Sequence, residues 1–424
     1  MLHWRTPALF ALLFAQAFAA GSAPAIETDA PAGFSATRLK RLDDFLQRVT
    51  GAHGYPGAVV LLARDGEAPT LRTYGYRDLA RTEPMPVDAI FRIYSMSKTV
   101  TTVAVLMLLE EGRIGLDDPI AGYLPAFADV RVFAGGTADV PRLRAPARAI
   151  TIHDLLTHTA GFATGAAGDE GRAALVERAD LHAAASLDEY VARLARVPLA
   201  HDPGTRFGYD GMSIEPLARL VEVVGGQPFD RFVEARILAP LGMRDTGFSV
   251  PREKRARLVE LVTSDADGRL VAADMRGVRE PGAMLNAYPS GAGGLYSTAS
   301  DYARFARMLL DGGTVNGVTL LGRKTVETML RNHLANALLP APGLHEGEGF
   351  GLGGSVVLDA TRRGRLASDG AFGWSGAAST YYLIDPRERL VAILLAQYLP
   401  RNEGHDLPKI NATFHNLVYQ ALNP

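Results

Sequence analysis

The chain has 424 residues, 47% of them hydrophobic, with a formal net charge of −2 and a sequence pI of about 6.6. That length allows one to three domains around a large core, and the near-neutral charge leaves no electrostatic footprint for nucleic acid. With zero cysteines, disulfides, thiol nucleophiles and thiolate metal sites are excluded.

The first residues, MLHWRTPALFALLFAQAFAAGSAPA, carry Arg5, an apolar segment from Ala8 to Phe18, and small residues after it. Ala17-Phe18-Ala19 fits the small-x-small pattern of an export signal cut near Ala19 or Ala20. Residues 1–20 therefore read as a signal peptide, and the mature chain as exported, periplasmic or secreted. An uncleaved N-terminal anchor is the other reading, with an apolar segment shorter than a span requires. No later stretch reaches that length, so no stable membrane span is expected after cleavage.

SATRLKRLDDFLQRVTG then puts Leu39, Leu42, Phe45, Leu46 and Val49 at helical spacing. PGAVVLLARDGEAPTLRTYGYRD reads as a hairpin about Asp65-Gly66, and Pro84, Met85 and Pro86 mark a loop. FRIYSMSKTVTTVAVLMLLEEG, residues 91 to 112, sets a serine-rich turn before a long apolar helix. From 116 to 284 helix and loop signals dominate, in TIHDLLTHTAGF, SLDEYVARLARVPL, SIEPLARLVEVVGG and PFDRFVEARILAPLG. Gly/Ala-rich pieces near 134–148 and 163–171 read as surface insertions. STASDYARFARMLLDGG reads as a capped helix that starts near Ser300 or Asp301 and ends at Gly312-Gly313. The strand-like runs SVVLD, AASTYYLID and LVAILLAQY follow, the last two joined at Asp385-Pro386, and KINATFHNLVYQALN closes as a helix. Strands at both chain ends with helices between them predict an α+β fold. Residues 35–115 and 285–424 form one antiparallel sheet flanked by helices, and 116–284 is an inserted, mainly helical domain.

Lys98 is one of only five lysines, and a lysine beside a buried helix seldom lacks a partner or a task. Ser95 and Lys98 form Ser-x-x-Lys, and positions i and i+3 of a helix share a face. Ser97 has no lysine three residues on, so the spacing selects Ser95. A helix N-terminus offers unpaired N–H groups and partial positive charge to an oxyanion formed there. Burial disfavours an ammonium, and an uncharged lysine can take the serine proton. The bland alternative is a serine cap followed by a lysine that reaches to the surface. Tyr209 lies in a Gly-flanked loop before an amphipathic helix, where it can project into a cleft and shuttle a proton to a leaving group. It can equally be a buried tyrosine anchoring that loop.

Other matches fail. Gly349 to Gly354 fits G-x-G-x-x-G but precedes a strand, so it reads as a glycine-rich strand entry. His153 and His158 are five apart, off one helical face. Ser368-Asp369-Gly370 reads as a turn, and no G-x-S-x-G nucleophile elbow occurs.

The segments SMSKTVTTVAVLMLLEEGRIGLDDPIAGYLP, TIHDLLTHTAGF, PGTRFGYDGMSIEPLARLVEVVGGQPFDRFVEARILAPLGMRDTGF, GAGGLYSTASDYARFARMLLDGG and FGWSGAASTYYLIDPRERLVAILLAQ stand in an order that resembles a known superfamily. These are the serine beta-lactamase-related hydrolases: class C beta-lactamases, penicillin-binding-protein-like D,D-peptidases and, nearest in likeness, family VIII carboxylesterases. The resemblance spans most of residues 36 to 400 and implies a sheet domain, a helical domain and a cleft between them. It implies Ser95 as acylated nucleophile, Lys98 as its proton acceptor and Tyr209 as the tyrosine of the second motif. The third motif falls on Trp374-Ser375-Gly376, a substrate-binding strand edge. The backbone N–H groups of Ser95 and Ala377 are then the oxyanion hole.

Two departures shape the expected activity. Gly211 stands where penicillin-recognising members carry asparagine, and Trp374 where they carry lysine. Without that cation and amide a substrate carboxylate loses its partners, whereas tryptophan offers an apolar wall to an uncharged acyl or alcohol group. Trp374 as a space-filling core residue is the bland alternative. The expectation is an exported carboxylesterase with a small-molecule ester substrate, no metal and no organic cofactor. A beta-lactamase or D,D-peptidase acting on lactams or peptides, and a transacylase, share the same intermediate. A non-catalytic cell-wall-binding scaffold is the rival from another class.

Overall fold

A computed structural model describes residues 33–163, 170–273 and 280–423. The export-signal reading on residues 1–20 lies outside the described residues, as does most of 163–171.

Seven strands form the main sheet: β1 (Gly57–Arg64), β2 (Thr70–Gly75), β3 (Glu348–Phe350), β4 (Ser355–Val357), β5 (Phe372–Gly376), β6 (Thr380–Asp385) and β7 (Leu390–Leu395). Their order is β3-β4-β5-β6-β7-β1-β2, antiparallel throughout. The two chain ends meet in the middle, where Val59 pairs with Leu395 and Arg64 with Leu390. The turn after β1 passes through Asp65 and Gly66, both at positive φ, as the Asp-Gly signal requires.

Five helices flank or support the sheet: α1 (Ala36–Val49), α2 (Ser97–Glu110), α3 (Glu215–Gly225), α4 (Ala299–Leu310) and α5 (Asn411–Tyr419). Strand β1 shows why its sequence is apolar without alternation. Val59, Leu61 and Ala63 enter the core on the α4 side, while Ala58, Val60 and Leu62 enter the one shared with α1 and α5. A strand covered on both faces has no polar side to display. On α1, Ser35 accepts the Arg38 N–H at 3.4 Å, and Leu39, Leu42 and Leu46 are buried.

α2 is buried on every side from Ser97 to Leu108, as expected of a helix apolar all round. Two of its three threonines find partners in neighbouring loops: Thr99 donates to the Gly353 carbonyl at 2.9 Å and Thr101 to that of Gly291 at 2.8 Å. The glycine run 349–354 is thus the turn of the β3–β4 hairpin, pressed onto α2. Gly353 has φ +83°, and a Cβ there would come 2.5 Å from Thr102 Oγ1. No phosphate cradle is needed to explain it.

The structure adds detail to two expectations. α4 is capped by Thr298, which accepts the Asp301 N–H at 3.1 Å. Asp301 is instead committed to accepting from the Asp245 N–H (2.7 Å) and Thr246 Oγ1 (3.0 Å). The surface insertion expected near 134–148 is an ordered, largely exposed two-stranded ribbon, Val132–Gly136 paired with Pro141–Arg144.

Candidate active site

The chain reaches Ser95 along a short strand, Phe91–Arg92, paired with Tyr296–Ser297. Tyr94 then adopts φ +42°, costly for an aromatic residue and retained only where the surroundings hold it. A single tight turn, Tyr94–Met96, leads into α2. Ser97, the neighbouring hydroxyl, is occupied elsewhere, accepting the Leu295 N–H at 3.1 Å. Ser95 is left facing the cleft.

Lys98 is 4% exposed. Its Nζ donates to Ser95 Oγ at 3.1 Å and to the Ala292 carbonyl at 2.6 Å, and lies 5.2 Å from the centre of the Tyr209 ring. The structure therefore rejects the snorkelling alternative: the lysine turns inward, onto the serine selected by the spacing.

Tyr209 lines the same cleft and is 38% exposed. His158, buried at φ +56°, holds its loop from both sides. The His158 carbonyl accepts the Gly208 N–H at 2.9 Å, and its Nδ1 accepts the Asp210 N–H at 3.4 Å. Burial first, and Lys98 second, hold this imidazole far below its usual range, so it is neutral at physiological pH. Behind the tyrosine stands an aromatic wall of Phe207, Phe350 and Trp374.

Trp374 is more than an apolar wall. Its Nε1–H donates to the Tyr209 hydroxyl at 3.0 Å, with the rings 4.9 Å apart. That bond leaves the tyrosine's own proton available for another acceptor. At the end of β5 a Cβ on Gly376 would fall 2.3 Å from the Ile93 carbonyl oxygen. Glycine lets the strand end press against the serine turn, one residue before Ala377. Ser375 points away and is exposed.

Two carboxyl groups, Glu215 buried and Asp210 half-buried, stand near the lysine. Glu215 accepts from Ser290 Oγ at 2.5 Å and from the Gly291 N–H at 3.0 Å. It thereby fixes the loop whose next residue, Ala292, receives the Lys98 proton donor. Asp210 accepts from the N–H (2.6 Å) and hydroxyl (3.1 Å) of Ser213. Burial pushes Glu215 up to about 7 and Asp210 up to about 6, with Lys98 pulling both back. A carboxyl raised on folding favours the native state while protonated in both states. That contribution is lost as pH climbs from the unfolded value through the folded one, here from about 4.5 to about 7 for Glu215. Glu215→Gln keeps an acceptor for the Gly291 N–H and replaces the acceptor facing Ser290 with an amide donor to its hydroxyl oxygen, without the ionisation. The wild type should lose about 2.5 kcal/mol more stability than this variant between pH 5 and pH 8, measured by denaturant melts at both pH values. Parallel loss in both proteins would contradict the assignment.

The cleft measures about 1570 Å³. Ser95, Tyr209 and Gly293 form part of its floor, and Val176, Leu181, Met212, Met284 and Leu285 give it apolar walls. Among the described residues no cluster of His, Asp or Glu could hold a metal ion; His153 meets His333 instead, at 3.1 Å. Nor is any described helix long and apolar enough to cross a membrane.

A family model described as Beta-lactamase matches residues 42–415. The chain belongs to the beta-lactamase family. Protein Rv1367c of Mycobacterium tuberculosis is 35% identical over 363 residues, covering 84% of this chain and 89% of that one. Esterase EstB of Burkholderia gladioli is 30% identical over 388 residues, covering 86% and 92%. The solved structure of EstCE1, described as a hydrolase with promiscuous acyltransferase activity, matches with a TM-score of 0.72 at 25% identity, covering 90% of this chain and 98% of that one.

In this beta-lactamase-family protein Gly211 adjoins the lysine's support. A Cβ there would meet only the Ala292 methyl, at 3.7 Å, so neither backbone strain nor crowding demands glycine. Sequence reasoning missed three supporting groups: His158, Glu215 and the Ala292 carbonyl. In the sequence His158 shows only its five-residue spacing from His153, and Glu215 sits in a helix first turn, where an acid usually serves the helix dipole.

Proposed function

We propose that this protein is an exported carboxylesterase that cleaves short- and medium-chain acyl esters through an acyl-serine on Ser95. The observation that carries the reading is the Trp374 indole, set where a cation would receive a substrate carboxylate and bonded to Tyr209. The apolar cleft and the likeness to a protein named as an esterase support it. Export rests on residues 1–20 alone.

In this mechanism Lys98 keeps one N–H on the Ala292 carbonyl and serves as the base, its amine lone pair taking the Ser95 proton. The Ser95 oxygen attacks the ester carbonyl carbon, and the oxyanion settles between the N–H groups of Ser95 and Ala377. As the carbon–oxygen bond to the alcohol breaks, Tyr209 delivers a proton to the leaving oxygen. The Trp374 N–H stabilises the negative charge that Tyr209 gathers. Water then attacks the acyl-serine, giving its proton to the same groups in reverse, and the acid departs.

Trp374→Phe preserves the wall and removes the donor. Its kcat on p-nitrophenyl butyrate should fall about 5- to 10-fold, the worth of one hydrogen bond made stronger in the transition state, with KM nearly unchanged. A rise in KM alone would return Trp374 to a purely apolar role. The function itself is tested by comparing p-nitrophenyl butyrate with nitrocefin on the purified mature chain. The proposal expects kcat/KM on the ester to exceed that on the lactam by about 10³-fold or more, since an unpaired carboxylate is strongly penalised. The reverse order would favour a beta-lactamase or D,D-peptidase. A second reading, acyl transfer to an alcohol, draws on the cleft volume, which has room for an acceptor beside the acyl group. Ester formation with added alcohol measures it.

A further inference from the structure

A second cavity, of about 290 Å³, opens on the face of β5 that Ser375 presents, between β4, β6, α5 and the loops around 345 and 364. Four basic side chains with nitrogen-rich ends, Arg363, Arg365, Lys409 and His345, line it, together with His415 and the single carboxylate Glu348. That carboxylate is already committed. Its Oε1 accepts from Arg363 Nε at 2.5 Å and its Oε2 from the His345 N–H at 3.0 Å. Both members of the Arg363–Glu348 pair are almost fully buried, at 7% and 5% exposure.

The rest of the charge is uncompensated. Arg363 also donates to His415 Nε2 at 3.1 Å, which requires His415 to be neutral with its proton on Nδ1, donated to the Tyr381 hydroxyl at 2.9 Å. Burial, with Arg363 nearby, holds this imidazole down at about 3. Arg365 reaches only a neutral acceptor, His345 Nε2, at 2.8 Å, and forms no ion pair among the described residues. Lys409 has neither hydrogen bond nor ion pair among them. Two guanidinium groups and an ammonium thus share one carboxylate in a half-enclosed space, an arrangement carrying two surplus positive charges. Ser375 and Asn411 add a free hydroxyl and an amide. The like-charge crowding disappears once an anion sits among these donors, and guanidinium pairs suit tetrahedral oxyanions.

We propose that this cavity is a binding site for a small phosphate-type oxyanion, inorganic phosphate or a phosphate monoester, on the opposite side of β5 from the Ser95 hydroxyl and bordered by Trp374. The volume suits a phosphate group with a few carbons attached. The cavity borders Trp374 and Ser375 of β5, so the titration is run alongside p-nitrophenyl butyrate hydrolysis to tell loss of anion binding from loss of the ester site.

Isothermal titration of the full chain with inorganic phosphate, with glycerol phosphate and with succinate, at ionic strength fixed with sodium chloride, tests it. Saturable one-to-one binding of phosphate or its monoester is expected; a monoester preferred tenfold over inorganic phosphate identifies the ligand as an organic phosphate. Lys409→Gln, at an exposed position that cannot disturb the fold, should weaken binding at least about tenfold, and Arg365→Gln with it should abolish the signal. Binding no different from added chloride, tighter binding of succinate, or binding unchanged in the variants would overturn the proposal.

Discussion

Ser95→Ala should abolish ester hydrolysis, lowering kcat/KM for p-nitrophenyl butyrate by about 10⁴-fold or more, as removal of a nucleophile does elsewhere. No other hydroxyl can take over. Ser97 is buried and bonded to the Leu295 N–H, and Tyr209 lies behind its bond from Trp374. The substitution removes an oxygen whose one side-chain hydrogen-bond partner among the described residues is Lys98, and Lys98 keeps the Ala292 carbonyl. Stability should therefore change by less than about 1 kcal/mol. A folded variant that still hydrolyses the ester at more than a hundredth of the wild-type rate would refute the nucleophile.

Lys98→Met should cost nearly as much, about 10³-fold or more in kcat, because the serine then loses its proton acceptor. Methionine matches the length of the aliphatic stem but leaves the buried Ala292 carbonyl without its donor, worth about 1–3 kcal/mol of stability. Lys98→Arg separates chemistry from packing. Arginine restores a donor to Ala292 and a positive charge near Glu215 and Asp210, yet it cannot give up its proton. If the lysine acts as base, Arg recovers stability but not rate. Recovery of rate by Arg would mean that the charge alone matters.

How legible the site was depended on how local its chemistry is. Ser95 and Lys98 are three residues apart on one helical turn, so their spacing announces the pair. Tyr209, one of fourteen tyrosines, stood out only through its glycine-flanked loop and the family likeness. Trp374 was half legible. Its apolar bulk is a property of the residue, but its N–H partner is 165 positions away and exists only because β5 closes against the 208–210 loop. Glu215 was not legible, since its burial comes from the 290–292 loop, far along the chain. The sheet of both chain ends followed from the apolar runs of β1, β6 and β7. The ribbon at 132–144 did not, because its Gly, Arg and Ala residues show no alternation for a strand reading to use.

The most direct test is to locate the acyl group. The full chain is mixed with p-nitrophenyl butyrate, quenched in acid within the turnover time, and digested with trypsin. Cleavage after Arg92 and Lys98 releases the hexapeptide Ile93–Lys98, which holds Ser95 and Ser97. A butyryl mass on that peptide, placed on Ser95 by fragmentation and absent from Ser95→Ala, is the predicted result. Ester turnover with no acyl group on this peptide, or with the group on Ser97, would contradict an acyl-serine mechanism at Ser95.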